Sequence, residues 1–167
     1  VRWYKLDGDS KDSSGYKNNG TFYSSSVPAK AVPGRDHFGD RDCSLKFDKD
    51  LSEYIEISSS ISSTFNNSSF TISAWLNVKS GSVTWFGHGT NSIRAGLHLV
   101  VLDSLKIRFG FYSDDCDTDE TISLNVWTHI ICSFNSLTNL QSVYINGVLS
   151  KTRTSSGSYN GGTTNAN

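Results

Sequence analysis

The chain has 167 residues, a formal net charge of −1 and only 19% charged side chains, while Ser and Thr together make up about a quarter of it. So near a balance leaves no electrostatic footprint for nucleic acid or an anionic membrane surface, and no apolar run reaches the ~20 residues of a spanning helix. The length fits one domain that buries roughly 70% of the surface its unfolded chain exposes, and a surface built mostly of hydroxyls and backbone fits an extracellular β-protein. Met is absent, position 1 included, which points to a processed product or an excerpt of a longer chain.

In chain order, apolar and polar residues alternate with the period of a half-buried strand over 2–6, 43–48, 53–57, 69–78, 83–87, 96–102, 105–112, 126–134 and 141–146, and a strand over 148–153 completes a hairpin. The turn of that hairpin is Asn146-Gly147, the dipeptide that best tolerates the two positive φ angles of a type I′ turn. Turn-rich segments fill 7–20, 58–69 and 154–167, and no 3.6-residue period persists, so little helix is expected. Many antiparallel strands joined in this way predict a sandwich or barrel. The alternation also assigns faces. Phe70, Ile72, Ala74, Leu76 and Val78 share one, Leu105, Ile107, Phe109 and Phe111 another, and Val143 with Ile145 extends the core. Trp75, Lys106, Arg108, Tyr112, His129 and Tyr144 fall on the opposite faces.

Three cysteines are an odd number for a secreted chain. Cys43 shares a strand face with Leu45 and Phe47, and Cys132 with Ile130 and Phe134, so both are expected to point inward. A Cys43–Cys132 disulfide is one reading; small buried hydrophobes are the plainer one. Cys116 falls in an acidic loop. The sequons Asn19-Gly-Thr, Asn66-Asn-Ser and Asn67-Ser-Ser would accept glycans in a eukaryotic secretory setting, Asn66 and Asn67 competing for one.

The opening Trp3-Tyr-Lys-Leu-Asp-Gly-Asp-Ser-Lys-Asp-Ser-Ser-Gly-Tyr-Lys-Asn-Asn-Gly-Thr21 resembles the start of laminin-G-like, concanavalin-A-like jelly-roll domains. Leu45-Lys-Phe-Asp48, Tyr54-Ile-Glu-Ile57, Phe70–Val78, Trp127–Phe134 and Val143–Val148 resemble the family's later strands, in the family's order. The resemblance covers residues 2 to 153. It implies an all-β jelly-roll sandwich of two curved antiparallel sheets, with 1–153 as the domain and 154–167 as a polar tail or linker. It also implies non-catalytic roles in glycan binding, adhesion or matrix building, sometimes with one calcium ion. Family members continue past the Asn-Gly hairpin into a closing strand. Residues 155–167 offer no apolar alternation for one, so that strand is expected to be missing or supplied from elsewhere.

Candidate sites follow from chemistry. A glycanase on such a fold needs two carboxylates at alternate positions of one strand; the nearest pair, Glu53 and Glu56, is three apart and so falls on opposite faces. Neither a nucleophile–His–acid triad nor a zinc-spaced histidine set stands out, and the chain reads as a non-enzyme. Calcium takes several oxygen ligands, which Asp7, Asp9 and Asp12 in the opening turn would supply, or alternatively Asp114, Asp115, Asp117 and Asp119 in the acidic loop; the plain alternative is aspartates capping turns. Glycan binding needs an aromatic platform beside hydrogen-bonding side chains, for which Trp75, Arg108, Tyr112 and Tyr144 are candidates.

A jelly roll without its last strand exposes unpaired backbone groups. Another copy or another extracellular protein can fill that edge by strand sharing, and a filament results if the contact does not close. The reading is therefore a secreted or cell-surface, non-catalytic module for structural assembly or adhesion. Its partners would be copies of itself, other extracellular proteins or glycans, with no nucleic acid and no membrane insertion; a calcium-dependent lectin is the alternative.

Overall fold

The computed structural model describes residues 1–26, 28–57 and 62–161, apart from the side chains of Ser62 and Ser63, and divides into two units, Val1–Ser59 and Ser60–Ala166. In the first, β1 (Gly20–Tyr23), β2 (Val32–Gly34), β3 (Ser44–Lys46) and β4 (Tyr54–Ile57) form two antiparallel pairs, β1 with β4 and β2 with β3. The strand expected over 2–6 reduces to a single bridge, Tyr4 to Asp12. Two local features end it. Leu6 takes a positive φ of 58°, and the Asp12 carboxylate accepts from Trp3 N at 3.2 Å, Ser14 N at 2.9 Å and Asn18 N at 3.1 Å, so a side chain replaces a strand ladder.

The second unit carries the sandwich. After one helical turn, α1 (Ser62–Phe65), come β5 (Phe70–Asn77), β6 (Val83–Gly89), β7 (Gly96–Val101), β8 (Lys106–Gly110), β9 (Asp115–Thr121), β10 (Trp127–Asn135), β11 (Leu140–Ile145) and β12 (Val148–Thr154). They form two four-stranded antiparallel sheets, in the orders β12-β11-β10-β5 and β6-β7-β8-β9. This is the all-β two-sheet architecture the alternation predicts. The β11–β12 hairpin turns at Asn146 and Gly147 with φ of 50° and 80°, both positive as a type I′ turn requires.

The expected core faces are the observed ones: Ile107, Phe109, Phe111, Ile130 and Val143 are fully buried, with Leu97, Leu99 and Val101 from β7 beside them. Aromatic rings bridge the sheets edge to face, Phe70 to Phe109 at 6.1 Å and Phe111 to Phe134 at 4.9 Å, the geometry that ring quadrupoles favour. Each such ring stabilises the fold by about 1.5–3 kcal/mol through burial.

Three expectations are corrected here. Residues 115–121 are a strand rather than an acidic loop, because Asp115, Cys116, Asp117, Thr118 and Asp119 alternate between outward carboxylates and inward small side chains. Residues 155–161, expected as a polar tail or linker, belong to the second unit: Tyr159 is fully buried and its ring lies 5.3 Å from Phe111. Finally, the cysteines are all free and Cys43 is exposed. Asp42, at a φ of 60°, turns the chain just before β3, and Cys43 Sγ bonds the Arg41 carbonyl at 3.3 Å.

Burial pushes the Cys116 thiol up to about 11 and raises that of Cys132 as well. Because the thiolate is the reactive form, titration with an aromatic disulfide reagent is expected to modify Cys43 alone in the native protein and all three cysteines in denaturant.

Candidate functional site

The outer face of the β6–β9 sheet gathers polar side chains by register. His98 of β7, Gly110 of β8 and Asp115 of β9 stand in one cross-strand row, and Val100, Arg108 and Asp117 in the next. Arg108 grips Asp117 with two parallel bonds, Nε to Oδ1 at 2.8 Å and Nη2 to Oδ2 at 2.7 Å. That hydrogen bonding outweighs the effect of partial burial and raises the guanidinium's affinity for its proton, so the row carries a fixed positive charge and a fixed fork of donors.

Asp115 is held differently. His98 Nε2 stands 3.5 Å from its Oδ1 and Arg108 Nη1 3.5 Å from its Oδ2. Both contacts are longer than good hydrogen bonds, and the buried Oδ1 accepts no bond at all. His98 Nδ1 donates to the Gly96 carbonyl at 2.9 Å, which fixes the ring and leaves Nε2 directed at that carboxylate. Gly110 makes the convergence possible, since a Cβ there would collide with His98 Nε2 and Asp115 Oδ1. The His98 and Asp115 side chains close over that glycine.

Tyr112 stands beside them, 38% exposed, its ring edge-on to His98 at 6.4 Å. It occupies a two-residue turn in which both Tyr112 and Ser113 have positive φ, 56° and 61°, closed by Phe111 N donating to Asp114 O at 3.1 Å. Such angles cost non-glycine residues about 1–2 kcal/mol each. Asp114 holds the turn in place. Its carboxylate, 2% exposed, accepts from Arg153, from Ser155 Oγ at 2.8 Å and from Ser156 N and Oγ at 2.8 and 2.7 Å.

Burial alone would raise the Asp114 pKa; those donors outweigh it and hold the carboxyl below its ordinary range. A lowered folded-state pKa gives stability that is present at neutral pH and lost as pH falls below the ordinary carboxylate range. Thermal melts are therefore expected to show a fall in Tm on acidification from pH 5 towards pH 2, with a flatter profile in Asp114→Asn, whose Tm at pH 7 is already lower.

The other expected sites are dispersed. Asp12 is saturated by backbone donors, Asp9 pairs with Lys11 at 2.7 Å, and Asp7 lies exposed. Of the alternative set, Asp114 and Asp117 are engaged as above, Asp119 pairs with Lys151 at 2.7 Å, and only Asp115 lacks a close partner. Among the described residues no group of His, Cys, Asp and Glu is arranged to hold a metal. The glycan candidates divide in two: Arg108 and Tyr112 on this face, Trp75 and Tyr144 on the outer face of the opposite sheet. Asn19 and Asn67 are exposed, whereas Asn66 is half-buried and its Oδ1 accepts from Gly161 N at 2.9 Å.

Sequence reading missed His98, Gly110 and the pairing of Asp115 with Asp117. Those two carboxylates stand at alternate positions of one strand, the spacing sought for a glycanase; sequence reading weighed only Glu53 and Glu56, which lack it. Asp115 and Asp117, however, lean on one guanidinium.

The family described as the concanavalin A-like lectin/glucanases superfamily matches residues 49–167. Domain 4 of AbnA, a GH43 extracellular arabinanase from Geobacillus stearothermophilus solved in complex with arabinotriose, is similar in fold at a TM-score of 0.72, with 19% identity over 98% of this chain and 79% of its own. A candidate carbohydrate binding protein from Bacteroides ovatus matches at a TM-score of 0.43 with 20% identity, over 58% of this chain and 27% of its own, too loosely to carry an argument. No match is found among curated proteins.

Proposed function

We infer a binding module from one premise: this chain belongs to the concanavalin A-like lectin/glucanases superfamily. The reading is a non-catalytic, extracellular carbohydrate-binding domain whose site is the polar cluster on the outer face of the β6–β9 sheet. The observation that carries it is Asp115, a carboxylate held over a glycine floor with no short hydrogen bond, beside the fixed fork of Arg108. Sugar hydroxyls donate and accept at once. Asp115 and Asp117 would take their protons, Arg108 and the His98 ring would complete the pattern, and Tyr112 would pack against a C–H face.

Two carboxylates beside one guanidinium and a histidine make this face a poor host for an anionic glycan, so the ligand is a neutral saccharide. The reading invokes no cation, because Asp115 and Asp117 supply hydrogen-bond acceptors and Arg108 donors directly to sugar hydroxyls. The alternative, structural assembly by strand sharing, rested on a missing closing strand; Ser155–Gly161 pack into the second unit without forming one.

Calorimetric titration with arabinotriose, the saccharide bound by the domain of similar fold, tests the proposal. Binding at micromolar to millimolar Kd, unchanged by a chelator and without release of reducing sugar from arabinan, is the expected result. Hydrolysis of arabinan, or no binding to arabinotriose or any other neutral oligosaccharide, would sink it.

A further inference from the structure

The sheets of the second unit end in edge strands, β12 and β5 in one, β6 and β9 in the other. An edge strand presents unpaired N–H and C=O groups, which native folds blunt with bulges, charges or prolines. β12, β6 and β9 are blunted in this way. β12 carries an extra residue, Ser150, where its register with β11 shifts. It also sets Lys151 and Arg153 opposite the buried Val143 and Gln141, so both charges point inward, to Asp119 and Asp114. β6 bulges at Trp85, and the acidic β9 shifts register between Asp117 and Thr121.

β5 has none of these devices. Its eight residues, Phe70 to Asn77, include no charge and no proline, and all of them pair with β10 without a register shift. Among the described residues no strand pairs with its other side. The core is also uncovered along it. Ile72, Ala74 and Leu76 point inward, level with Cys132, Ile130 and Thr128 of β10. Those β10 residues are buried, at 0%, 0% and 3% exposure, whereas Ile72, Ala74 and Leu76 are only half-buried. A further strand beside β5 would cover these three side chains and pair the open backbone groups.

We propose that β5 is a dimer edge: two copies of the chain pair β5 with β5, antiparallel about a two-fold axis at Ser73, and so join two four-stranded sheets into one. The strand's own sequence selects a second copy as the occupant. An isologous contact sets a surface against itself, so a charged strand would repel its mate, and β5 has no charge to do so. A charged partner chain, by contrast, would find no counter-charge on this edge. Side chains alternate with period two, so inward residues meet inward ones only when the axis passes through a residue. With the axis at Ser73, Ile72 opposes Ala74 of the second copy, Phe70 opposes Leu76, and Thr71 opposes Trp75 on the outer face. The contact closes at two copies, unlike strand sharing that runs on into a filament. It uses no residue of the β6–β9 face, so the two readings are independent.

A contact of one strand pair is small, so the dimer is weak and forms at about 0.1–1 mM protein. Sedimentation equilibrium across that range should show monomer and dimer and no larger species. Ser73→Lys places two ammonium groups opposite each other on the axis and should weaken the dimer about fivefold or more. Ser73→Glu should do the same, and an equimolar mixture of the two variants should associate again. Ser73 is exposed, so melting curves should show both variants folded. Leu149→Lys, on the same outer face but at the far edge, should dimerise as wild type does. In a Cys43→Ser background, Ser73→Cys should give a disulfide-linked dimer on mild oxidation, since directly opposed residues hold their Cβ atoms about 5 Å apart. The proposal is overturned if the wild type stays monomeric throughout or grows beyond a dimer. It is equally overturned if Ser73→Lys associates as wild type does, if the mixed variants fail to pair, or if Ser73→Cys does not cross-link. Loss of the dimer in Leu149→Lys would overturn it in favour of sheets stacked face to face. Arabinotriose affinity should be unchanged in Ser73→Lys, which keeps this test apart from that of the β6–β9 face.

Discussion

Tyr159→Ala is expected to destabilise the second unit by about 3–5 kcal/mol, the range for removing a large aromatic from a packed core. Tyr159 is fully buried, its ring stands 5.3 Å from Phe111 and 6.4 Å from Phe70, and its hydroxyl donates to the His88 carbonyl at 2.9 Å while His88 Nδ1 lies 2.7 Å away. Its backbone carbonyl accepts from Asn67 N at 2.8 Å, and the next residue's Asn160 N donates to Arg94 O at 2.7 Å, so these two residues tie the chain after β12 to the turn after α1 and the loop after β6. Domains are stable by only about 5–15 kcal/mol, so the variant approaches the point of unfolding. Tyr159→Phe separates the two contributions. It keeps the ring and deletes the hydroxyl, and should lose about 1–3 kcal/mol by leaving buried polar groups short of a partner. Urea denaturation of both variants checks this; a loss below 1 kcal/mol in Tyr159→Ala would return Ser155–Gly161 to the status of a tail.

Arg108→Ala is expected to reduce affinity for arabinotriose by about 10- to 100-fold, since a hydrogen bond to a charged group contributes about 1.5–3 kcal/mol and 1.4 kcal/mol is a factor of ten. The change also leaves Asp115 and Asp117 as two like charges on neighbouring outward positions with no cation between them, so the remaining acceptors are no longer held in place. Arg108→Lys keeps the charge but not the planar fork, and an intermediate loss distinguishes geometry from charge. Thermal stability should fall only modestly in either variant, because the pair is partly solvated: the side chains of Arg108 and Asp117 are 32% and 35% exposed. Calorimetry alongside melting curves makes the comparison.

What could be read from the chain was what depends on local alternation. Phe70–Val78, Leu105–Phe111 and Trp127–Phe134 state their faces in period two, and Asn146-Gly147 states its turn; the structure agrees with each. What could not be read depends on register. His98 and Arg108 are ten residues apart in sequence, and nothing local says that Gly110 opposes His98 while Asp117 opposes Arg108.

Asp115–Thr121 was legible in principle, since acidic and small residues alternate there as in any half-buried strand. The five carboxylates of Asp114–Glu120 read as a loop only because their partners, Arg108, Lys151, Arg153 and Ser150, come from other strands. Tyr159 was hidden for a related reason. One aromatic among glycines, serines and asparagines gives no period, and its burial follows from the gap left between Phe111, Phe70 and His88 rather than from its neighbours in sequence.

Backbone amide chemical-shift mapping with arabinotriose tests the central claim most directly. The account predicts that the largest perturbations fall on His98, Arg108, Gly110, Tyr112, Asp115 and Asp117, with the same set moving when a chelator is present. Perturbations confined to other strands, or none at saturating sugar, would contradict it.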